Sequence, residues 1–292
     1  MKVLAITGDK SFRPGHPRFE IERGSIEELA VVYWGRGGLW PKIPRKKFDV
    51  VTAQDPFWRG LFGWIVARKI GARFNVQVHT SRFSSPLAAF VLRRADSIRV
   101  VSEKIRDRVL QLGVRASVHI LPIYIDISKF RNVERQPHPG RMILWIGRFE
   151  PEKDPLLALE ILRKIPDAKL IMLGAGSLEK SLKTNAARLN LAAQVEFPGW
   201  LDPLPYLAQS DVVLCTSRHE SYGASVIEAL AAGVPVVAPD VGVAKESGAV
   251  VAPREKLADA VIEVLRSNIR GELKLRLPSA QEWAQKWHET LI

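Results

Sequence analysis

Short apolar runs alternate along the chain with longer amphipathic segments, and this alternation is typical of parallel α/β sheets. In the first half, the apolar runs predict strands at 2–7, 29–33, 48–52, 74–79, 97–101 and 117–121. Helical spacing predicts helices there at 56–70, 86–93 and 103–112. In the second half, strands are predicted at 142–146, 170–173, 194–197, 212–215 and 234–238. Helices are predicted at 155–165, 177–190, 222–232 and 256–265.

A polar segment at 131–140 separates these two sets of elements and is the best linker candidate. We therefore predict two doubly wound α/β domains, at 1–138 and 139–276, that face each other across a cleft. Ligands of such sheets bind at the carboxyl ends of the strands. Residues 277–292 are predicted to form a final helix with Trp283 and Trp287 on one face, packing back on the first domain.

The composition is that of an ordinary globular protein, with 47% hydrophobic and 25% charged residues. No apolar run approaches the roughly 20 residues that span a bilayer. The apolar start of the chain is too short for the core of a signal peptide, so a cytoplasmic location is expected. The single cysteine, Cys215, excludes a disulfide framework and a cysteine-ligated metal site.

The net charge of +12 is distributed unevenly. Through Gly140 there are 25 Lys and Arg against 12 Asp and Glu, which gives +13, and the remaining 18 against 19 give −1. This asymmetry indicates that the first half meets an anionic partner: a phosphorylated acceptor, an acidic membrane surface or nucleic acid. The alternative is a basic face that serves only solubility.

Two carboxylates flank one predicted helix start in the segment 218–235. Glu220 lies in the loop before the helix, Gly223 opens the helix, and Glu228 lies about five residues inside it, roughly 7–8 Å along the axis. Free N–H groups at the helix start bind anions, and the glycine lets a phosphate approach closely. The alternative is that Glu220 caps the helix and Glu228 is a solvated helix residue.

A second candidate anion site follows the apolar strand at 142–146. Gly147 is followed by a loop that carries Arg148 and Lys153, two cations suited to clamping two phosphates. A further glycine loop, Leu-Gly-Ala-Gly-Ser, starts at residue 173 but lacks the full dinucleotide-binding fingerprint.

These motifs together resemble glycosyltransferase family 4, the retaining enzymes of GT-B fold. The resemblance rests on Gly-Arg-x4-Lys, on Leu-Gly-Ala-Gly-Ser, on Val-Glu-Phe-Pro-Gly-Trp at 195–200, and on the segment 205–242 with its Glu-x7-Glu spacing. It covers residues 142–265 and continues more weakly through 48–56, 76–80, 95–102 and 120–130. It implies two Rossmann-like domains, with a sugar nucleotide held mainly by the second and an acceptor held mainly by the first.

Residue roles follow from the resemblance position by position. Arg148 and Lys153 would hold the diphosphate and stabilise the leaving group, and Glu220 would contact the hydroxyls of the transferred sugar. Glu228 would accept hydrogen bonds from the ribose, and His79 matches a family histidine near the sugar; the alternative for His79 is a bond to a neighbouring backbone group. The other donor-binding positions that the resemblance implies are Gly147, Gly174, Phe197, Pro198, Gly199, Tyr222, Gly223 and Ala224.

The sequence also departs from the family pattern. The first domain is short, the glycine-rich loop after the first strand (8–15) lacks the double glycine, and the late Gly-Gly-x-x-Glu element has one glycine at 241–246. The identity of the acceptor therefore cannot be transferred from the family to this sequence. No Asp-x-Asp motif occurs, so we expect a hexosyltransferase that needs neither metal nor cofactor, in glycolipid, cell-envelope or polysaccharide synthesis. Attack on the same face of the sugar is preferred, since no nucleophile for a double displacement is evident.

Two other functions remain open from the sequence. One is a GT-B-like protein that binds sugar nucleotides without catalysis. The other is a basic nucleic-acid-binding protein, which is not favoured because no binding motif appears and the basic residues are spread over many elements.

The acceptor is expected to be anionic and lipid-linked, with the protein peripheral at the inner membrane face. Residues 57–73 mix aromatic and basic residues at helical spacing, as interfacial helices do, and 42–47 add a second basic cluster. The alternative is a helix packed on its sheet, with Phe57, Leu61 and Ile65 buried and only its cations exposed.

Overall fold

The apolar runs form two six-stranded sheets, and every paired strand is parallel to its neighbour. The computed structural model describes residues 1–35, 41–80, 83, 85–131, 133–267 and 269–292. Within these, the chain divides into two compact units: Met1–Tyr124 with Pro278–Ile292, and Ile125–Leu277. Each unit has its own sheet, its own helices and its own core, as the alternating pattern predicts.

The sheet of the first unit has the order β2-β1-β3-β4-β5-β6. Its strands are β1 (Lys2–Thr7), β2 (Glu28–Tyr33), β3 (Val50–Ala53), β4 (Arg73–Val78), β5 (Ser97–Val100) and β6 (Ser117–Ile120). Its helices are α1 (Pro17–Gly24), α2 (Trp58–Ile70), α3 (Pro86–Leu92), α4 (Glu103–Leu110) and, from the end of the chain, α11 (Ala280–Thr290). The sequence pattern did not predict α1, whose mean hydropathy is low and whose apolar contribution to the core is mainly Phe19.

The C-terminal helix α11 belongs to the first unit. It begins with a capping box, in which Ser279 and Glu282 each accept a hydrogen bond from the other's backbone N–H. Trp283 and Trp287 are fully buried against the sheet, among residues that include Val3. The helix thus covers one face of the first sheet.

The sheet of the second unit has the order β12-β11-β10-β7-β8-β9. Its strands are β7 (Arg141–Ile146), β8 (Ala168–Leu173), β9 (Val195–Gly199), β10 (Val212–Leu214), β11 (Val236–Ala238) and β12 (Val250–Val251). Its helices are α5 (Pro155–Leu162), α6 (Glu179–Arg188), α7 (Leu204–Ala208), α8 (Ala224–Ala231), α9 (Ala244–Ser247) and α10 (Leu257–Ser267). The short elements α7, α9 and β12 were not predicted, because two to five residues carry too little periodicity.

The boundary between the units lies after Tyr124, not after residue 138 as predicted. The polar segment before β7 is fastened to the second unit: Phe130 is buried in its core, and the backbone N–H of Gln136 donates to the carbonyl of Ala208 at 2.9 Å. The side chains of Arg135 and His138 both approach Asp211. A polar composition therefore marked a surface segment of the second unit rather than a linker.

Candidate functional site

The strand order of the second sheet reverses beside β7. From β7 the chain passes to β8 and β9 on one side, and then to β10, β11 and β12 on the other. Such a reversal leaves a crevice at the carboxyl ends of the two central strands, which here are β7 and β10. The loops that follow these strands begin at Gly147 and Cys215, so the predicted cations and Glu220 lie in the loops that flank this crevice.

The two central loops are joined by an ion pair. Nζ of Lys153, in the loop after β7, lies 2.5 Å from Oε1 of Glu220, in the loop after β10. Their side chains are only 19% and 11% exposed. The same Oε1 also accepts a hydrogen bond of 2.7 Å from the hydroxyl of Ser217. Two predicted site residues that are 67 positions apart in sequence therefore form one unit.

Buried hydrogen bonds connect these two loops. The indole N–H of Trp145, on β7, donates to Oγ1 of Thr216 at 2.8 Å, and Thr216 donates to the carbonyl of Lys153 at 2.9 Å. The position of the Lys153 backbone is thus fixed by the loop that carries Glu220.

A charged cluster that sequence reasoning missed supports the same loops. Asp154 has a left-handed backbone conformation (φ 45°) and pairs with Arg254 and with Arg218, the latter at 2.7 Å. Arg254 also donates to the carbonyl of Thr216 at 2.5 Å. Arg254 lies 100 residues after Asp154, so no local motif could have indicated this contact.

Arg148 stands apart from the Lys153–Glu220 pair. Its guanidinium pairs with Glu152 at 2.6 Å, and its side chain is 60% exposed. It directly follows Gly147 at the end of β7, so it lies at the crevice with its guanidinium accessible to a ligand.

The glycines after β7 and β8 allow their loops to touch. A Cβ on Gly174 would lie 1.8 Å from the carbonyl oxygen of Gly147, so no larger residue fits there. The N–H of Gly174 donates to the carbonyl of Gly199 at 2.9 Å, which brings all three predicted glycines together. Phe197 and Pro198, before Gly199 on β9, are half-buried. The glycines thus serve loop packing at the edge of the crevice.

Helix α8 starts at Ala224, two residues later than predicted, because Gly223 has a left-handed backbone conformation (φ 103°) that a helix cannot include. Among the described residues, no oxygen accepts a hydrogen bond from the N–H of Gly223, Ala224 or Ser225. These groups form an open donor set at the positive end of the helix dipole.

Tyr222 contributes to packing through its side chain. The side chain is buried, and burial raises the pKa of its hydroxyl to about 12. Its carbonyl accepts a hydrogen bond of 2.9 Å from Val243 N–H. A Cβ on Gly242 would lie 2.3 Å from this carbonyl, so the one glycine kept in the segment 241–246 supports the loop of Glu220.

Glu228 borders a small cavity of about 230 Å³. The cavity is lined by Lys129, Phe130, Ile146, Leu173, Trp200, Leu201, Pro203 and Glu228. Burial raises the pKa of Glu228 to about 7, although the nearby charge of Lys129 acts to lower it. No described residue donates a hydrogen bond to its carboxylate. A half-buried carboxylate beside an apolar cavity is therefore open to hydroxyl donors, and it is not the solvated helix residue of the alternative.

His79 belongs to the first unit, directly after β4. Its Nε2 lies 3.3 Å from Oε1 of Gln77, which also accepts a hydrogen bond of 2.9 Å from the buried guanidinium of Arg99. Because an amide oxygen only accepts, Nε2 carries the proton and Nδ1 keeps its lone pair. Burial, with the charges of Arg99 and Arg18, lowers the pKa of His79 well below 6.5. The ring is thus a neutral acceptor held by a side chain, not by a neighbouring backbone group.

Helix α2 exposes more apolar surface than the packed alternative predicts. Phe57 and Leu61 are partly buried against the core, but Trp58 is 67% exposed and Ile65 is 37% exposed. Arg68, on the same side as Ile65 and Leu61 at helical spacing, is also exposed. The helix therefore has an aromatic and basic outer surface as well as a buried one.

The described residues contain neither a candidate membrane-spanning helix nor a candidate metal-ligating cluster. No helix within them is long and apolar enough to cross a bilayer. No group of three or more His, Cys, Asp or Glu side chains within them is arranged to hold a metal ion.

Two family models match the chain, one for each unit. The model of glycosyl transferases group 1 matches residues 126–282, and that of the glycosyl transferase 4-like domain matches residues 13–123. Among solved structures, Anabaena HepE in complex with UDP matches with a TM-score of 0.73 at 17% identity, covering 100% of this chain and 96% of HepE.

Curated relatives are similar over part of their length. The lipopolysaccharide core biosynthesis glycosyltransferase LpsE of Rhizobium meliloti is 27% identical over 220 residues, which are 71% of this chain and 62% of LpsE. Alpha-monoglucosyldiacylglycerol synthase of Streptococcus pneumoniae is 23% identical over 228 residues, which are 66% of this chain and 52% of the synthase. The match thus spans between half and two thirds of each relative.

The group 1 model covers more than half of the chain, and the structural match shows the GT-B fold, with two parallel-sheet Rossmann-like domains. The chain belongs to the group 1 glycosyl transferases, of family 4 type.

Proposed function

We propose that this chain transfers a hexose from a nucleoside-diphosphate sugar to an anionic, lipid-linked acceptor with retention of configuration. The observation that carries the proposal is the Lys153–Glu220 pair at the switch point of the second sheet, with Arg148 and the open N–H groups of α8 in the adjoining segments. The crystal structure of HepE with UDP supports a uridine nucleotide as the first donor to test.

The second unit supplies the charges that a departing diphosphate needs. In the proposed reaction Lys153 and Arg148 neutralise it, and the N–H groups of Gly223 and Ala224 add the helix dipole. With these donors, the proposed reaction is independent of divalent metal.

The two carboxylates have different roles in this proposal. Glu220 is held by Lys153 and Ser217 at one oxygen and offers the other to hydroxyls of the transferred sugar. Glu228 accepts hydrogen bonds from the ribose, with the base in the neighbouring cavity, whose lining includes Trp200 and Leu201, the residues directly after Phe197 to Gly199.

The chemical step is a displacement on one face of the sugar. The bond between the anomeric carbon and the diphosphate oxygen breaks, and that oxygen takes the electron pair. The acceptor hydroxyl forms the new bond from the same face, and its proton passes to the departing phosphate oxygen. Neutral His79 is proposed to accept a hydrogen bond from the sugar through Nδ1.

The acceptor is proposed to be presented at a cytoplasmic membrane surface. The excess of +13 in the first 140 residues and the exposed Trp58 and Ile65 of α2 suit an anionic interface. Two relatives are named for lipopolysaccharide core synthesis and for a glucosyldiacylglycerol, which supports a lipid-linked acceptor.

The test is incubation of the purified protein with UDP-, GDP- and ADP-sugars, with nucleoside diphosphate release measured with and without lipid extract. Release that depends on lipid, with the product's anomeric configuration matching that of the donor by NMR, is expected. Tight binding of a sugar nucleotide with no release under either condition would instead indicate a binding protein without catalysis.

A further inference from the structure

A second concave site lies at the other end of the second sheet. We call it the basal cavity; it has a volume of about 500 Å³ and is lined by residues that include Arg135, Arg141, Asp211, Pro235, Ile269 and Arg270. Arg141 begins β7, while Asp211 and Pro235 directly precede β10 and β11, so the cavity borders the amino ends of these strands. The proposed donor site lies at their carboxyl ends, one sheet length away, roughly 20 Å along the six residues of β7.

Arginines dominate the charge of the basal cavity. Asp211 is engaged by the fold: its Oδ2 accepts from Met142 N–H at 2.8 Å, and its Oδ1 lies 3.3 Å from His138 and 3.4 Å from Arg135. Arg141 pairs at 2.8 Å with Asp167, which does not line the cavity. The three guanidinium groups thus outnumber the two carboxylates near them, and the net charge of this group of side chains is positive.

Much of the hydrogen-bonding capacity of these arginines is unused. A guanidinium has five N–H donors, and Arg135 places one of them in a single long contact with Asp211. Arg270 is exposed and makes no hydrogen bond or ion pair with a described residue. Guanidinium groups with unused N–H donors can bind the oxygen atoms of a phosphate.

The backbone next to Arg270 is nevertheless fixed. The N–H of the next residue, Gly271, donates to the carbonyl of Gly233 at 3.0 Å. A Cβ on Gly271 would lie 2.2 Å from the carbonyl oxygen of Val234, so the chain passes this close only with a glycine. The backbone beside Arg270 is therefore held against the rim of the cavity.

The remaining wall is apolar and open. Val264, Leu265, Ile269 and Pro235 line it, and Ile269 is 45% exposed. Gly140 and Gly233 both have left-handed backbones; a Cβ on Gly140 would lie 3.9 Å from its nearest atom, the carbonyl oxygen of Asp167, and a Cβ on Gly233 would have no atom within 4 Å. The cavity therefore combines a cationic rim with an apolar surface, within the roughly 300–1,000 Å³ typical of small-molecule sites.

We infer that the basal cavity binds a small soluble phosphomonoester, such as a sugar phosphate or a nucleoside monophosphate. Its phosphate pairs with Arg270 and Arg135, and its uncharged part lies on the wall of Leu265 and Ile269. The inference goes beyond the proposed glycosyl transfer and does not rest on it, because no residue of the basal cavity belongs to the donor site.

The test follows backbone amide signals of glycines by NMR during titration. Gly140 and Gly233 report on the basal cavity, and Gly147 and Gly223 report on the donor site. The probes are glucose 6-phosphate, uridine monophosphate, inorganic phosphate and, as the uncharged control, uridine. The variants are Arg270→Gln and Arg135→Gln, with Arg266→Gln as the matched control, an exposed arginine of α10 outside the basal cavity.

Both esters are expected to shift the Gly140 and Gly233 signals saturably, uridine is not, and inorganic phosphate is expected to bind more weakly. Arg270→Gln should weaken ester binding about tenfold or more, the value of a lost charge-assisted pair, and Arg266→Gln should not. Absence of saturable shifts, or equal effects of Arg270→Gln and Arg266→Gln, would overturn the inference. Lys153→Ala should leave these shifts unchanged, so failure of the donor site and failure of the basal cavity are distinguishable.

Discussion

Oε1 of Glu220 accepts hydrogen bonds from both the ammonium of Lys153, at 2.5 Å, and the hydroxyl of Ser217, at 2.7 Å. No described residue donates to the second oxygen. Two contacts thus fix Oε1 of the carboxylate, and Oε2 is left open to accept a hydrogen bond from a ligand.

Glu220→Gln should lower turnover more than it weakens donor binding. The amide keeps the shape but loses the charge that interacts with the sugar as positive charge develops in the transition state. We expect kcat to fall about 10²-fold with KM for the donor changed only a few-fold, in steady-state kinetics. The contrary result is a raised KM with kcat unchanged, which would assign Glu220 to ground-state binding.

Glu228→Ala should chiefly weaken donor binding, because ribose contacts are made alike before and during the reaction. Donor affinity of the wild type should also rise with pH through about 7, since the charged carboxylate is the better acceptor and burial raises its pKa to about 7. Calorimetric titration between pH 5.5 and pH 8.5 checks both points. A pH dependence that persists in Glu228→Gln would place the titrating group elsewhere.

The same pKa makes a prediction about stability. A carboxyl whose pKa is higher in the folded protein, about 7 against 4.5, contributes stability below the unfolded value that is lost as pH rises through the folded value. The free energy of unfolding of the wild type, relative to Glu228→Gln, should therefore decrease between pH 4.5 and pH 7. Urea denaturation of both proteins across this range measures it, and a constant difference would contradict the burial of the charge.

Arg18→Ala should destabilise the first unit strongly. Arg18 pairs at 2.7 Å with Glu22, whose side chain is fully buried, and the loss of one partner from a buried pair costs about 3–5 kcal/mol. Arg23→Ala is the matched control on the same helix: its pair with Glu20 is exposed and should contribute at most about 1 kcal/mol. Equal urea midpoints for the two variants would mean that Glu22 is stabilised without Arg18.

Trp58→Ala should reduce binding to anionic vesicles. The indole is 67% exposed on α2, beside basic residues, as expected for an interfacial ring. Trp200→Ala is the control, because Trp200 is equally exposed, at 65%, but belongs to the second unit. Co-sedimentation should fall for Trp58→Ala alone and weaken with salt. Equal recovery of wild type and both variants in the supernatant, with neutral and anionic vesicles alike, would exclude the membrane surface.

The sequence predicted those parts of the molecule that carry a local sequence signal. Apolar runs marked every strand of the two sheets except the two-residue β12, and the spacing of Gly147, Arg148 and Lys153 marked the loop after β7. The Lys153–Glu220 contact could be anticipated only because parallel strands end at one edge of a sheet. Two features escaped prediction because they depend on distant partners: Asp154 with Arg254, and the polar segment before β7 with Asp211. The start of α8 was misplaced for a local reason, the left-handed backbone of Gly223.

The central claim is that Lys153 stabilises a departing diphosphate. Its most direct test is kcat of Lys153→Ala at saturating donor, compared with Lys180→Ala, an exposed lysine of α6 outside the crevice. Loss of one such charge from the transition state predicts a decrease of about 10²-fold or more for Lys153→Ala and no change for Lys180→Ala. A kcat for Lys153→Ala equal to that of the wild type would contradict the claim.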